Sequence, residues 1–247
     1  MITTFFKTIF YIPLYNGLVF LLPHIPYADV GLTVIVFTFI VKLILFPLSR
    51  AAVRAQVKMK ELEPELNKIK VQYEKDKEEQ AKQTMLFYKN NNINPFSGLL
   101  LALIQIPIIF SLYFIFLHGG LPHIDTTLLY PFVHAPSIVN VTFLGFVNIS
   151  KTNVILGALA ALSQFIQIRL SIPAIKRVEN PTFKDDLARS MNMQMRYILP
   201  IFVFIISFKV SGAVDLYWAT SNLFMVLQEL FVRGQLRAKG EIKSEFQ

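Results

Sequence analysis

The 247-residue chain contains no cysteine. Disulfides, thiolate metal sites, cysteine nucleophiles and lipid-modified cysteines are therefore excluded. Charge is scarce too. Asp, Glu, Lys and Arg make up 16% of the residues, where a soluble domain carries about a quarter. Nucleotide and metal signatures are missing: there is no phosphate loop and no HExxH, and the four histidines (His24, His118, His123, His134) match no metal-site spacing. These gaps lead to the expectation of no nucleotide site and no metal site.

What the chain has in excess is apolar sequence. Hydrophobic residues make up 54% of it, with Phe alone occurring 23 times. The apolar residues lie in blocks separated by charged blocks, the pattern of an all-α polytopic membrane protein. The formal charge of +8 reads as a loop bias rather than as a nucleic-acid footprint, and no specific nucleic-acid partner is expected.

Residues 1–22 are apolar apart from Lys7 and are broken by Pro13. No small-x-small cleavage site follows. The expectation is a helix lying in the membrane interface, with Phe5, Phe6, Phe10, Tyr11 and Tyr15 at headgroup depth. The first span is 30–48, long enough to cross a bilayer, with Lys42 well inside it. A lysine there costs roughly 2.5–3.5 kcal/mol on insertion scales.

Residues 51–92 read as a cytoplasmic helical hairpin. Val53, Val57, Leu62, Leu66, Ile69 and Tyr73 recur at helical spacing, and the turn falls in EKDKEEQAK, with a return helix ending near Tyr88. Asn94-Pro95 reads as the capped start of a second span, 95–117, with Gln105 and Pro107 near its middle. Residues 118–151 hold little charge, as expected of a segment resting on the outer membrane surface. The third span, 153–172, carries Gly157, Ala158, Ala160 and Ala161, which suit close helix packing, and Gln164 and Gln167 three apart on one face. A second charged loop, 171–196, precedes spans four (197–210) and five (216–232), the latter holding Asn222, Gln228 and Glu229. The domain reading is 1–29 for the interfacial helix and linker, 30–233 for a five-helix core, and 234–247 for a basic tail.

Charge sets the expected topology. Of 24 Lys and Arg residues, the hairpin with its flanking Arg50 holds ten, the second loop with its flanking Arg169 six and the chain from Arg233 onward four, while the alternate side holds only Lys7, Lys151 and Lys209. Basic loops stay in the cytoplasm. The reading is a multi-pass protein of a bacterial cell membrane with its N-terminus outside and its C-terminus in the cytoplasm.

The informative constellation is the polar residues inside the spans: Lys42, Gln105, Gln164, Gln167, Ser221, Asn222, Gln228 and Glu229. Lys42 precedes Arg50 by eight residues, about 12 Å along a straight helix. That places it in the inner half of the membrane, level with the amides. Two readings stand side by side. Lys42 snorkels to the inner headgroups while the amides bond neighbouring helices, or the set lines a water-accessible cavity open to the cytoplasm. A Lys42–Glu229 pair would close such a site.

Taken in order, FTFIVKLILFPLS (37–49), the charged hairpin with LEPEL (62–66), INPFSG (93–98), IQIPIIFSLY (104–113) and SGAVDLYWATSNLFMVLQELFVR (211–233) resemble the YidC/Oxa family of membrane protein insertases. The resemblance runs from about residue 15 to residue 233. It implies a five-helix core without cofactor or ATPase, with no catalytic residue and no enzymatic activity, and a hydrophilic groove open to cytoplasm and lipid. In this family an arginine faces the groove, and Lys42 stands at that position, which keeps the charge and loses the bidentate fork. The groove set implied here is Lys42, Gln105, Gln164, Gln167, Tyr217, Trp218, Asn222, Gln228 and Glu229. The implied partners are nascent membrane proteins and the lipid bilayer, with the Sec translocon and the ribosome as further candidates. The chain lacks the large periplasmic domain and the lipobox cysteine of other members and has no transit peptide, so a compact bacterial form is expected. The rival reading is a small proton-coupled transporter or channel using Lys42 and Glu229, against which stands the lack of an inverted repeat. A purely structural membrane subunit is a third.

Overall fold

A computed structural model describes residues 2–117, 123–172 and 183–241. His118, the loop residues Lys176 and Arg177, and tail residues 242–247 lie outside the described residues. The chain divides into two compact units, Met1–Leu43 with Ile106–Val226, and Ile44–Gln105 with Leu227–Gln247.

The first unit opens with α1 (Ile2–Phe6), a π-turn (Lys7–Tyr11) and α2 (Ile12–Leu21) in helical succession. Pro13 has no N–H to give the preceding turn, and the wider π-turn ahead of it absorbs the mismatch. The stretch Thr4–His24 is 21 residues long and apolar enough to cross a bilayer, which the reading as an interfacial helix does not include. Tyr15, Leu18 and Val19 are fully buried. Asn16 donates to the Leu128 carbonyl at 2.8 Å and accepts from the Tyr130 N–H at 2.7 Å. One amide thus pins the helix to the charge-poor segment.

Helix α3 (Val30–Ile44) starts on Asp29, whose Oδ1 accepts the N–H groups of Gly31 and Leu32 at 2.7 and 3.1 Å. Its Oδ2 takes the Leu144 N–H at 2.8 Å. Leu144 belongs to a small antiparallel ribbon, β1 (Thr142–Phe143) and β2 (Val147–Asn148), turned by positive φ at Leu144 and Gly145. Among the described residues β1 and β2 are the only strands, and Asp29 forms a lone parallel bridge with Asn140. A Cβ at residue 31 would collide with the Phe143 ring, so only glycine fits there. Asp29 is 4% exposed and joins helix cap to ribbon. Asp29→Ala is therefore expected to destabilise the protein by about 2 kcal/mol, measured as a lower unfolding midpoint in detergent, with Asp29→Asn losing less.

The expected first span, 30–48, is not one helix. It breaks at Leu45 and resumes as α4 (Phe46–Glu61). Pro47 is the cause: it supplies no N–H to the Leu43 carbonyl, and its ring crowds that carbonyl. The 12 Å separation between Lys42 and Arg50, which assumes one straight axis, does not apply.

Helix α7 (Ser97–Leu117) runs past Pro107, and α8 (Val154–Ser171) begins with Asn153, whose side chain accepts from the N–H groups of Ile155 and Leu156. Asn94 and Pro95 lie outside α7. Asn94 Oδ1 accepts the Phe96 N–H at 3.0 Å in a turn, and the helix starts two residues later than expected. Helix α9 (Phe183–Met193), a π-turn (Gln194–Ile198) and α10 (Leu199–Ser207) lead to α11 (Gly212–Ala238). Span four is thus a nine-residue α-helix behind a π-turn. Span five runs six residues beyond its expected end, because the helix continues through Arg233 and into the residues expected to form the tail. Among the described residues three helices suit a bilayer by length and composition, Thr4–His24, Ser97–Phe116 and Val154–Ser171, with a fourth if the broken pair α3–α4 counts as one.

Within the first unit α8, α10 and α11 share a core of Ala160, Val203 and Ala219, flanked by Ala161 and Trp218. Gly157 lets Ser207 of α10 approach closely. Ala158, also small, is exposed and takes no part. Hydroxyls in these helices bond back to the preceding turn: Thr38 to Val34 O, Ser163 to Ala160 O, Thr220 to Leu216 O. Helices remain viable in lipid only when such groups are satisfied internally.

The second unit holds α4, α5 (Glu63–Gln72), α6 (Lys77–Asn90), the start of α7 and the end of α11. The hairpin turns at residues 73–76, where Asp76 caps α6 by accepting the Glu79 N–H at 3.0 Å. Val53 and Val57 of α4 pack on Val232 and Leu236 of α11. Both pairs are spaced by four, so each helix offers one ridge to the other.

Candidate functional site

The nine groove residues expected from the sequence divide between the units. Lys42, Gln164, Gln167, Tyr217, Trp218 and Asn222 belong to the first; Gln105, Gln228 and Glu229 belong to the second.

Lys42 is 5% exposed, in the last turn of α3. One turn earlier Phe39 meets Phe224 of α11 edge-to-face at 5.6 Å, so this side of α3 is turned toward α11 within the unit. On α11, Tyr217 is buried, Trp218 packs on the shared core, and Asn222 donates to Ser163 Oγ of α8 at 3.1 Å. Gln167 is half-buried and donates to Ser171 Oγ at 3.0 Å on its own helix; Gln164, on the same face, is also half-buried. The structure therefore ties Asn222 and Trp218 to α8.

In the second unit Gln228 reaches Ser49 Oγ of α4 at 2.5 Å. Glu229, 3% exposed, is held by Arg233 one turn on, with Nε and Nη2 at 3.0 and 2.5 Å from Oε1. A buried carboxylate demands a partner of this kind. The four-residue spacing in ELFVR suits such a pair, but the sequence reading ends span five at Val232 and gives Arg233 no partner. Gln105 is half-buried on α7.

A second row on α4, Arg50, Arg54 and Lys58, lies beside the apolar ridge. Arg50 donates to Gln235 Oε1 at 2.6 Å. Arg54 and Lys58 both contact Glu241 Oε2, at 2.7 and 2.8 Å. Lys58 and then Arg54 hold the Glu241 carboxyl below its ordinary range, since both favour its charged form.

Sequence reasoning also missed Asp215. It sits in the first turn of α11, fully buried, and neither carboxylate oxygen has a hydrogen-bond partner among the described residues. Its Oδ2 lies 3.7 Å from where a side chain at residue 157 would begin.

A family model described as 60Kd inner membrane protein matches residues 22–239. The chain belongs to this family, the YidC family. Its relatives include proteins named membrane protein insertase YidC. One, from Fusobacterium nucleatum subsp. nucleatum, is 31% identical over 208 residues, covering 83% of this chain and 86% of the relative. Another, from Oceanobacillus iheyensis, is 30% identical over 214 residues, 85% of this chain and 76% of the relative. A third, from Clostridium tetani, is 29% identical over 208 residues, 84% and 83%. The family and the apolar helices make this a multi-pass cell membrane protein.

Proposed function

We propose that this chain inserts nascent membrane proteins into the bacterial cell membrane without covalent chemistry, and that Lys42 is the charge that receives them. The insertase function comes with the family. The observation that carries the role of Lys42 is its burial, 5% exposed, in an otherwise apolar helix. A fixed cation in low dielectric attracts an anionic group far more strongly than one in water. In this reading the polar tail or loop of the incoming chain is held near Lys42, with Gln164, Gln167, Tyr217, Trp218 and Asn222 of the same unit beside it. Gln105, Gln228 and Glu229, in the other unit, are proposed as further polar groups that a nascent chain meets there. The apolar segment then leaves into lipid, driven by burial of its side chains at about 25 cal/mol per Å².

The charge asymmetry supports an N-terminus outside and a C-terminus in the cytoplasm. The basic hairpin would then face the ribosome and the Sec translocon as further partners.

The exit path is testable. Photocrosslinkers at Ile106 and Phe110 of α7 and at Leu223 of α11, all about half-exposed apolar positions in one unit, are expected to capture a stalled nascent chain bearing a transmembrane segment. Ile115, fully buried, is expected not to. Equal yields from all four positions would remove the lipid-side path.

A further inference from the structure

Where the end of α11 meets α4, the second unit contains a feature that Lys42 and the amides do not use. Helix α11 closes in a Schellman turn: Glu241 N–H bonds the Leu236 carbonyl, Gly240 N–H bonds the Arg237 carbonyl, and Gly240 has φ +67. Nothing lies within 4 Å of a Cβ built on Gly240, so the positive φ alone asks for glycine there. The turn reverses the chain and directs the Glu241 side chain back at α4, where one oxygen, Oε2, contacts both Arg54 and Lys58. The placement is set by backbone geometry rather than by a long side chain wandering on the surface.

The same Arg54 and Lys58 also line a groove of about 570 Å³, whose opposite wall is Leu99, Leu100 and Leu103 of α7. These three leucines are 58%, 49% and 58% exposed. A cationic rim thus borders an apolar wall, and among the described residues the anion seated on the rim is Glu241. We infer that Arg54 and Lys58 form a carboxylate site for the acidic flank of an incoming apolar segment, and that Glu241 occupies this site as a tethered stand-in until that flank displaces it.

Three points favour a peptide carboxylate as occupant. The group seated there is a carboxylate. Two cations face one anion, which leaves a net positive charge for a second acid. The flank of a membrane segment that crosses the bilayer is depleted in Lys and Arg, whereas Asp and Glu are tolerated. The latch is also weak enough to open. Glu241, Arg54 and Lys58 side chains are partly exposed, at 24%, 49% and 17%, and partly exposed pairs are readily exchanged for another partner. The inference rests on the insertase reading, because it takes the incoming ligand to be a nascent membrane segment.

The test uses the full chain in phosphatidylcholine nanodiscs and two labelled peptides with one apolar stretch, flanked by two Asp in the first and two Asn in the second. Binding is read by fluorescence anisotropy. Glu241→Gln is expected to tighten the Asp peptide about threefold and leave the Asn peptide unchanged. The double variant Arg54→Gln/Lys58→Gln is expected to weaken the Asp peptide about fivefold and to abolish the gain from Glu241→Gln. Unchanged affinity in Glu241→Gln overturns the inference. So does an equal gain for both peptides, which would make the tail a steric plug. Loss of the Glu241→Gln gain when phosphatidylglycerol replaces phosphatidylcholine would assign the site to a lipid phosphate and also overturn it. Reporter insertion by the same variants separates the two readings. Unaltered peptide affinity with insertion intact removes the carboxylate site alone. Peptide binding as expected with no insertion by any variant or by the parent chain removes the insertase reading and leaves the site.

Discussion

Lys42→Glu is expected to cut insertion of a single-span reporter with an acidic tail by about tenfold or more, while Lys42→Arg keeps it and Lys42→Ala falls between. Tenfold corresponds to about 1.4 kcal/mol, a small part of the Coulomb energy available to a cation that is 5% exposed. Reversing the sign turns that attraction into repulsion of the reporter's acidic tail, so the Glu variant loses more than the Ala variant. Arginine restores the charge and adds a planar fork able to take a carboxylate in two bonds, so the Arg variant is expected to insert at least as well as the parent chain. A reporter whose tail carries Asn instead of Asp is expected to respond much less to all three changes, which separates charge capture from general damage. Equal insertion by Arg, Ala and Glu variants at equal protein levels would show that Lys42 does not receive the tail.

The second large effect is structural. Gly157→Leu is expected to destabilise the protein by about 3 kcal/mol, with Gly157→Ala shifting it the same way by less. A Cβ at residue 157 would run into both Oγ and Cβ of Ser207 on α10. Ser207 is buried and its hydroxyl is tied to the Phe204 carbonyl at 2.6 Å, so it has no long side chain to swing away. The helices must separate, and the Ala160, Val203 and Ala219 core between α8, α10 and α11 opens with them. Close packing through small residues is the main source of helix association in lipid, where the apolar surroundings give no hydrophobic drive. Ala158→Leu makes a sharp control. It adds an equally large side chain one residue away on the exposed face and is expected to leave the unfolding midpoint within measurement error. Equal losses from both variants would mean that the α8–α10 approach is not what Gly157 provides.

These two residues mark how far the sequence could be read. The stripe of Gly157, Ala158, Ala160 and Ala161 announces a close-packed helix, but not which of its small residues meets a neighbour. Helical periodicity places them on faces only when the partner helix is known. The same holds for Asn222 and Gln228. Their presence in a span shows that each needs a partner, and only the packed helices reveal that the partners are Ser163 and Ser49. Arg233 lies just past the expected end of span five, and only the continuation of α11 to Ala238 places it against Glu229. Pro47 stands in plain sequence, but the hydropathy of 30–48 is continuous and does not register a missing N–H, so the break at Leu45 does not show in it.

Some properties follow from composition and order along the chain alone. Apolar blocks long enough to cross a bilayer require a membrane, because such surface has no other stable solvent. The charged helical block between the first two spans, the lysine within an apolar helix and the order of the motifs point to the insertase family. Those are local or additive properties, and a linear string carries them in full. The close approach at Gly157, the anchoring of Asp29 to Leu144 and the seating of Glu241 on Arg54 and Lys58 were decided by tertiary structure. Each depends on which residue, often more than a hundred positions away, the packed helices bring within about 3 Å, and no period or propensity along the chain encodes that distance.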